Sequence, residues 1–209
     1  MRQVYQLGYD PVMKSNARRR IAEEAARFMA MGIESEYLQA KERAAMMLGL
    51  SDCDNLPSNQ MVRDLITRFA RNEIGDLELD RRLKAMRELA LAVMSAIKAF
   101  DPVLFGSVQS GQIGLESDID LAAYADEHLH VLQALSQYGY DPDQIEEVEN
   151  IKGRFVHIRW QQDQWPLEIT VYPEFQKDMV QYSSIDGKPI KKLNIAQLRH
   201  LIEQGRDKN

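Results

Sequence analysis

Residues 105–124 read FGSVQSGQIGLESDIDLAAY. A Gly-Ser pair, Gly106-Ser107, ends an apolar run, and a loop with Gly111 and Gly114 follows. Then comes Ser117-Asp118-Ile119-Asp120-Leu121 at the head of an apolar stretch with the spacing of a strand. Alternation along a strand puts residues i and i+2 on one face, so Asp118 and Asp120 point the same way, roughly 6–7 Å apart at Cα. Two carboxylates held that close repel unless a positive charge lies between them. Oxygen-only ligands favour a hard divalent cation, magnesium or manganese. The Gly-Ser turn just ahead offers backbone N–H groups and a hydroxyl to phosphate oxygens.

The order and spacing, Gly106-Ser107, ten residues, then Asp118-x-Asp120, with Gly111 and Ser117 in the intervening loop, resemble the signature of the polymerase-β-like nucleotidyltransferase superfamily, in its minimal bacterial form. The resemblance is close over residues 105–124 and loose from there to about residue 173. It implies a small mixed-sheet core and transfer of a nucleoside monophosphate, with AMP the first candidate, from a nucleoside triphosphate to an acceptor hydroxyl. Pyrophosphate is the leaving group. The resemblance further implies that Gly106 lets the backbone approach the phosphates, that Ser107 hydrogen-bonds a phosphate oxygen, and that Ser117 joins the nucleotide-binding set. Asp118 and Asp120 then hold the metal ions, and a third carboxylate on a neighbouring strand completes the site. Glu168 is the candidate: in Leu167-Glu168-Ile169-Thr170-Val171 the apolar residues alternate inward, leaving Glu168 and Thr170 on the other face. Triphosphate calls for a cation besides the metal, and Lys188, with Lys191 and Lys192 beside it, is the candidate. The chain departs from the family pattern at Val108, Gln109 and Ser110, where small members often carry an arginine.

Composition bounds the rest. The chain has 209 residues, 44% hydrophobic and 28% charged, the profile of an ordinary globular protein. No run approaches the ~18 apolar residues of a membrane span, and the first twenty residues lack an apolar core of signal-peptide length. With a single cysteine, Cys53, no disulfide forms within the chain, and the cytoplasm is the expected compartment. Aspartates on both sides of Cys53 disfavour its thiolate. The net charge of −6 is uneven: residues 1–100 carry +2 and residues 101–209 carry −8. An acidic half attracts nucleic acid only with metals or a basic neighbour.

Periodicity divides the chain at about residue 100, giving an α+β protein with a helical N-terminal domain (1–100) and a nucleotidyltransferase domain (101–209). Ser15 or Asn16 is read as the cap of a first helix with Ile21, Ala25, Phe28 and Met29 on one face; helices over 34–48 and from Pro57 to about residue 72 follow. Leu79, Leu83, Met86, Ala90, Val93, Ile97 and Phe100 form a long buried seam. Beyond it come strands at 103–105 and 118–124, and a helix at 126–138 with Leu129, Leu132 and Leu135 inward. Residues 141–150 are acidic and ambiguous. A hairpin follows, with strands at 155–160 and 167–172. The tail holds a turn at Asp186-Gly187-Lys188-Pro189 and a short helix with Leu198, Leu201 and Ile202.

Competing readings belong to each residue. Glu168 is alternatively an ion-pair partner of Arg154 or Arg159, and His157 a structural strand residue. His128 and His130 lack the spacing of metal ligands. The lysines near 190 are alternatively a solvated face. At the level of the whole protein the alternative is a catalytically inactive nucleotide-binding or regulatory module, such as an antitoxin. Its helical region would then meet a protein partner or a second copy of the chain. The acceptor is left open among a small molecule, an RNA and a protein; no membrane is involved.

Overall fold

The computed structural model describes residues 11–50, 56–150, 153–183 and 185–206. Cys53 lies outside them. The chain forms two compact units, Met1–Phe69 and Ala70–Asn209. Among the described residues no helix is long and apolar enough to cross a membrane.

The first unit is helical. Helices α1 (Pro11–Ala30) and α2 (Tyr37–Met47) and the start of α3 (Asn59–Ile74) bury Ile21, Ala22, Ala25, Ala26 and Phe28 against Ala40, Ala44, Ala45 and Val62. The alanines leave little side chain between the helices, which lets backbones come close. Helix α1 begins at Pro11, four residues before the expected cap, so Ser15 and Asn16 lie inside it; proline is well suited to a first turn because its missing N–H would be unpaired there anyway. At the start of α3, Ser58 Oγ accepts the Met61 N–H at 3.2 Å. The buried Lys41 Nζ donates to Asn59 Oδ1 at 2.8 Å and to the Pro57 carbonyl at 3.3 Å, tying that entry to α2.

The second unit is a five-stranded mixed sheet with helices packed on one face. Its elements are α4 (Asp76–Ala96), β1 (Val103–Phe105), α5 (Gly106–Ser110), β2 (Ile119–Tyr124), α6 (His128–Gln137), β3 (Gln144–Asn150), β4 (Gly153–Gln162), β5 (Trp165–Tyr172) and α7 (Ile195–Arg206). The strand order is β1-β2-β5-β4-β3. Strands β2 and β5 are parallel, and the other pairs are antiparallel. One sheet face carries Ile119, Leu121, Ile158, Leu167, Ile169 and Val171 into a core with Leu79, Met86, Ala90, Val93 and Met94 of α4, Val131 and Leu135 of α6, and Leu198 and Ile202 of α7. The seam of α4 is therefore part of the sheet's own core, and α4 lies within the second compact unit.

Two local expectations change. In α6 the buried positions are Val131 and Leu135, while Leu129 is 61% exposed; the helix starts at His128, and the stripe that meets the sheet is set by i, i+4 from Val131. The ambiguous acidic stretch is the edge strand β3. Its glutamates suit that place, since charge on an edge discourages pairing with another chain. The β4–β5 hairpin turns on Asp163-Gln164, with Asp163 in the left-handed region at φ 55°.

Candidate active site

The face of the sheet opposite the core holds the candidate site. The register lines up one residue from each strand across that face: Phe105, Asp120, Glu168, Arg159 and Gln144. A second row, one step along, is Val103, Ala122, Thr170, His157 and Glu146. Strand spacing of about 4.8 Å puts the backbones of Asp120 and Glu168 side by side. Asp118 lies just ahead of β2 with the same parity as Asp120. The alternation that hides Ile119, Leu121, Leu167 and Ile169 thus delivers three carboxylates to one end of one face.

The Gly-Ser turn closes over that end. Gly106 has φ +74°, a conformation side chains resist, and no room for one: a Cβ there would overlap Asp120 Oδ2 and stand 3.1 Å from Asp120 Cγ. Only glycine lets the loop backbone lie against this carboxylate. Ser107 Oγ is buried and has no hydrogen-bond partner among the described residues. A buried hydroxyl without a partner costs stability, and is the kind of group whose partner arrives with a ligand. Ser117 Oγ accepts the Gly114 N–H at 2.8 Å, so its hydroxyl shapes the loop between Gly-Ser and the aspartates. The same loop is held from α4. Arg87 Nε donates to the Val108 carbonyl at 3.1 Å, and Arg82 Nη1 to the Leu115 carbonyl at 3.2 Å.

The electrostatics are those of crowded anions. Asp120 is pushed well above the usual carboxylate range, first by burial and then by the charges of Asp118 and Glu168. Asp118 keeps solvent contact and moves less: loss of water around its carboxyl and the charge of Glu168 raise it, while its own backbone N–H and Arg159 oppose the rise. Glu168 is balanced by protein. Arg159 Nε donates to its Oε2 at 2.5 Å, His157 Nδ1 lies 2.7 Å from its Oε1, and Thr170 Oγ1 donates to Oε1 at 3.2 Å. Arg159 also reaches Glu146 Oε2 on β3 at 2.7 Å. Beside this network a cavity of about 240 Å³ is lined by Asp118, Gln144, Arg159, Gln161 and Glu168, among others.

Both the metal-ligand reading and the ion-pair reading of Glu168 thus meet in one residue. Among the described residues no three His, Cys, Asp or Glu side chains are arranged to hold a metal ion, with Glu168 turned to Arg159 and His157. The donor chemistry of Asp118 and Asp120 nonetheless fits a hard cation: two carboxylates on one face, both raised by loss of water and by the charge of Glu168. Glu168 fits as a third ligand if it leaves its hydrogen bonds to Arg159 and His157.

Arg159 and His157 are the residues of this site that sequence reasoning left in structural roles. A two-residue turn at Asp163-Gln164 places Arg159 opposite Glu168 and His157 opposite Thr170, and that register was the available signal. Lys188 is not brought to the carboxylates. It is exposed in a turn where its N–H donates to Asp186 Oδ1 at 3.3 Å and its carbonyl accepts from Ser183. Its neighbour Lys192 reaches the sheet instead, with Nζ 2.9 Å from Tyr124 Oη. His128 and His130 lie at the start of α6.

No family model matches the chain, and no curated protein matches it. Solved structures similar to it include the RNA terminal uridylyl transferase Cid1, at 18% identity over 44% of this chain and 31% of that one, with a TM-score of 0.33. A cytoplasmic RNA terminal U-transferase is similar at 23% identity over 51% of this chain and 34% of that one, TM-score 0.33. Cid1 poly(U) polymerase with MgGTP bound is similar at 19% identity over 50% and 37%, TM-score 0.31. The chain spans about a third of the length of these proteins.

Proposed function

We propose that the chain is a divalent-metal-dependent nucleotidyltransferase that moves a nucleoside monophosphate from a nucleoside triphosphate to an acceptor hydroxyl. One observation carries the reading: the Gly106 backbone lies against the Asp120 carboxylate, next to a buried, unpaired Ser107 hydroxyl and beside Asp118 and Glu168. A structural turn has no need of a side-chain-free approach to a half-buried anion, nor of a hydroxyl without a partner.

In this reading Asp118 and Asp120 hold magnesium or manganese, and Glu168 completes the set. A bound divalent ion supplies positive charge that stabilises the attacking and leaving oxygens of the displacement. The chain's own groups do the rest. Gly106 keeps the loop close enough for backbone N–H groups to meet phosphate oxygens, and Ser107 Oγ donates to one of them. The acceptor oxygen bonds to the α-phosphorus, the bond from that phosphorus to the β-bridging oxygen breaks, and pyrophosphate leaves. The hydroxyl proton passes to a Glu168 carboxylate oxygen or to water. Arg159, His157 and Thr170 hold Glu168 beside the aspartates, and Glu168 gives up its bonds to Arg159 and His157 when it joins the set.

The test is pyrophosphate release from each nucleoside triphosphate with magnesium, across RNA, small-molecule and protein acceptors. Release by the wild type that disappears in Asp120→Asn supports the reading, with ATP the first donor to try. Nucleotide binding without release from any acceptor favours the second reading, a nucleotide-binding regulatory module. The observation that speaks for that alternative is the Arg159–Glu168 pair, which already neutralises the third carboxylate.

A further inference from the structure

A second cavity lies at the other end of the sheet face that carries the carboxylates. Its volume is about 440 Å³, and Lys98, Lys177 and Lys192 line it together with Tyr124, Asp101 and Asp178. The three lysines come from distant parts of the chain: the turn after α4, the turn after β5, and the segment before α7. Two of them lie in the half of the sequence whose net charge is −8, so their gathering in one cavity runs against the local composition. Like charges brought together are unfavourable unless something negative meets them. Asp101 answers Lys177, at 2.6 Å. Lys192 Nζ contacts the Tyr124 hydroxyl, and Lys98 is exposed without a partner among the described residues. Asp178 is exposed, with no ion pair to these lysines. Ile195 and Ala196, the first residues of α7, also line the cavity, and the first N–H groups of a helix have no partner within it. The cavity therefore holds three lysines against two aspartates, and Lys98 and Lys192 form no ion pair among the described residues.

Its position separates it from the triphosphate cradle. Tyr124 has the parity of Asp120 in β2, four residues on, or about 13 Å by strand rise. Pro102 and Val103 line the cavity, whereas Gly106 and Ser107 follow the far end of β1. A phosphate here is not the one being cleaved. We propose that this cavity binds a phosphate group carried by the acceptor, which lies along the sheet face with its hydroxyl at the carboxylates. The assignment of that phosphate to the acceptor rests on the transferase reading above; the phosphate site itself stands on the lysines.

The experiment is calorimetry on the full chain without magnesium, so that the carboxylate end repels anions. The probes are inorganic phosphate, a 5′-phosphorylated trinucleotide, its unphosphorylated twin and a sugar phosphate. The wild type is expected to bind the phosphorylated trinucleotide at least tenfold tighter than its twin. Lys98→Gln and Lys192→Met each weaken that binding severalfold, with melting temperature unchanged for Lys98→Gln, while Asp120→Asn preserves it. A sugar phosphate bound as well as the trinucleotide assigns a small phosphorylated acceptor, and preference for the trinucleotide assigns a nucleic-acid end. Equal binding of the phosphorylated and unphosphorylated strands, wild-type affinity in both lysine variants, or loss in Asp120→Asn overturns the proposal. Phosphate binding that survives alongside a failure to bind magnesium-nucleotide leaves the cavity standing and counts against the transferase reading alone.

Discussion

Gly106→Ala probes the tightest point of the site. Two costs fall on the new methyl. At φ +74° an L-residue carries a penalty of about 1–2 kcal/mol. The methyl also overlaps Asp120 Oδ2 and stands 3.1 Å from Cγ and 3.3 Å from Cβ, so the carboxylate or the loop shifts, at a typical overpacking cost of about 1–3 kcal/mol. Together these give about 2–5 kcal/mol, or roughly 4–20 °C in melting temperature for a chain of this size. The two costs are separable by a double-mutant cycle. Asp120→Ala removes the atoms that collide and leaves the backbone conformation, so the Gly106→Ala/Asp120→Ala protein recovers the overlap part, a coupling of about 1–3 kcal/mol. Both tryptophans, Trp160 and Trp165, lie in the β4–β5 hairpin, so intrinsic fluorescence during urea unfolding reports on this unit for all four proteins. A Gly106→Ala cost below about 0.5 kcal/mol, or a coupling of zero, refutes the claim that the loop lies against the carboxylate for want of a side chain.

Other perturbations follow from the same geometry. Asp120→Asn is expected to stabilise the protein while abolishing activity. The folded state raises the Asp120 pKa, so the penalty for its charge is absent below the ordinary carboxylate range and grows as pH rises through the raised value; the variant's gain in melting temperature should be small near pH 4 and larger at pH 8, and the opposite trend would contradict the burial argument. Ser107→Ala removes an unpaired hydroxyl, so stability changes by less than about 1 kcal/mol while nucleotide affinity falls about tenfold, measured by calorimetry; unchanged affinity removes Ser107 from the site. A fragment of residues 70–209 should unfold cooperatively, whereas 101–209, stripped of α4, should not fold, as read by circular dichroism. Met86→Ala, in the α4 seam, should cost about 2–5 kcal/mol on urea unfolding; a cost under 1 kcal/mol would detach α4 from the sheet core.

The carboxylate set was legible because a strand's period of two is visible in the sequence. Leu167-Glu168-Ile169 and Asp118-Ile119-Asp120 each show which side is apolar, and the parallel pairing of β2 with β5 then aligns Asp120 with Glu168. The Arg159–His157 network was harder, because it depends on hairpin register. A turn read as residues 161–164 would set His157 opposite Glu168, whereas the turn of Asp163-Gln164 sets Arg159 there. The seam of α4 announced a buried face but not what covers it; periodicity carries no address, so the helix was grouped with its helical neighbours. Lys188 and Lys192 differ in the same way. Composition marks a basic tail, and only the pairing of Leu193 with Leu104 brings Lys192, and not Lys188, to the end of β2.

The central claim is that the polar end of the sheet face is a nucleotide-metal site. Calorimetry of nucleoside triphosphates on the wild type and on Asp120→Asn, each with and without magnesium, tests it most directly. The account predicts binding by the wild type that requires magnesium and is lost in the variant, with the variant's melting temperature equal to or above that of the wild type. Magnesium-independent binding, wild-type affinity in Asp120→Asn, or no binding of any triphosphate would contradict it.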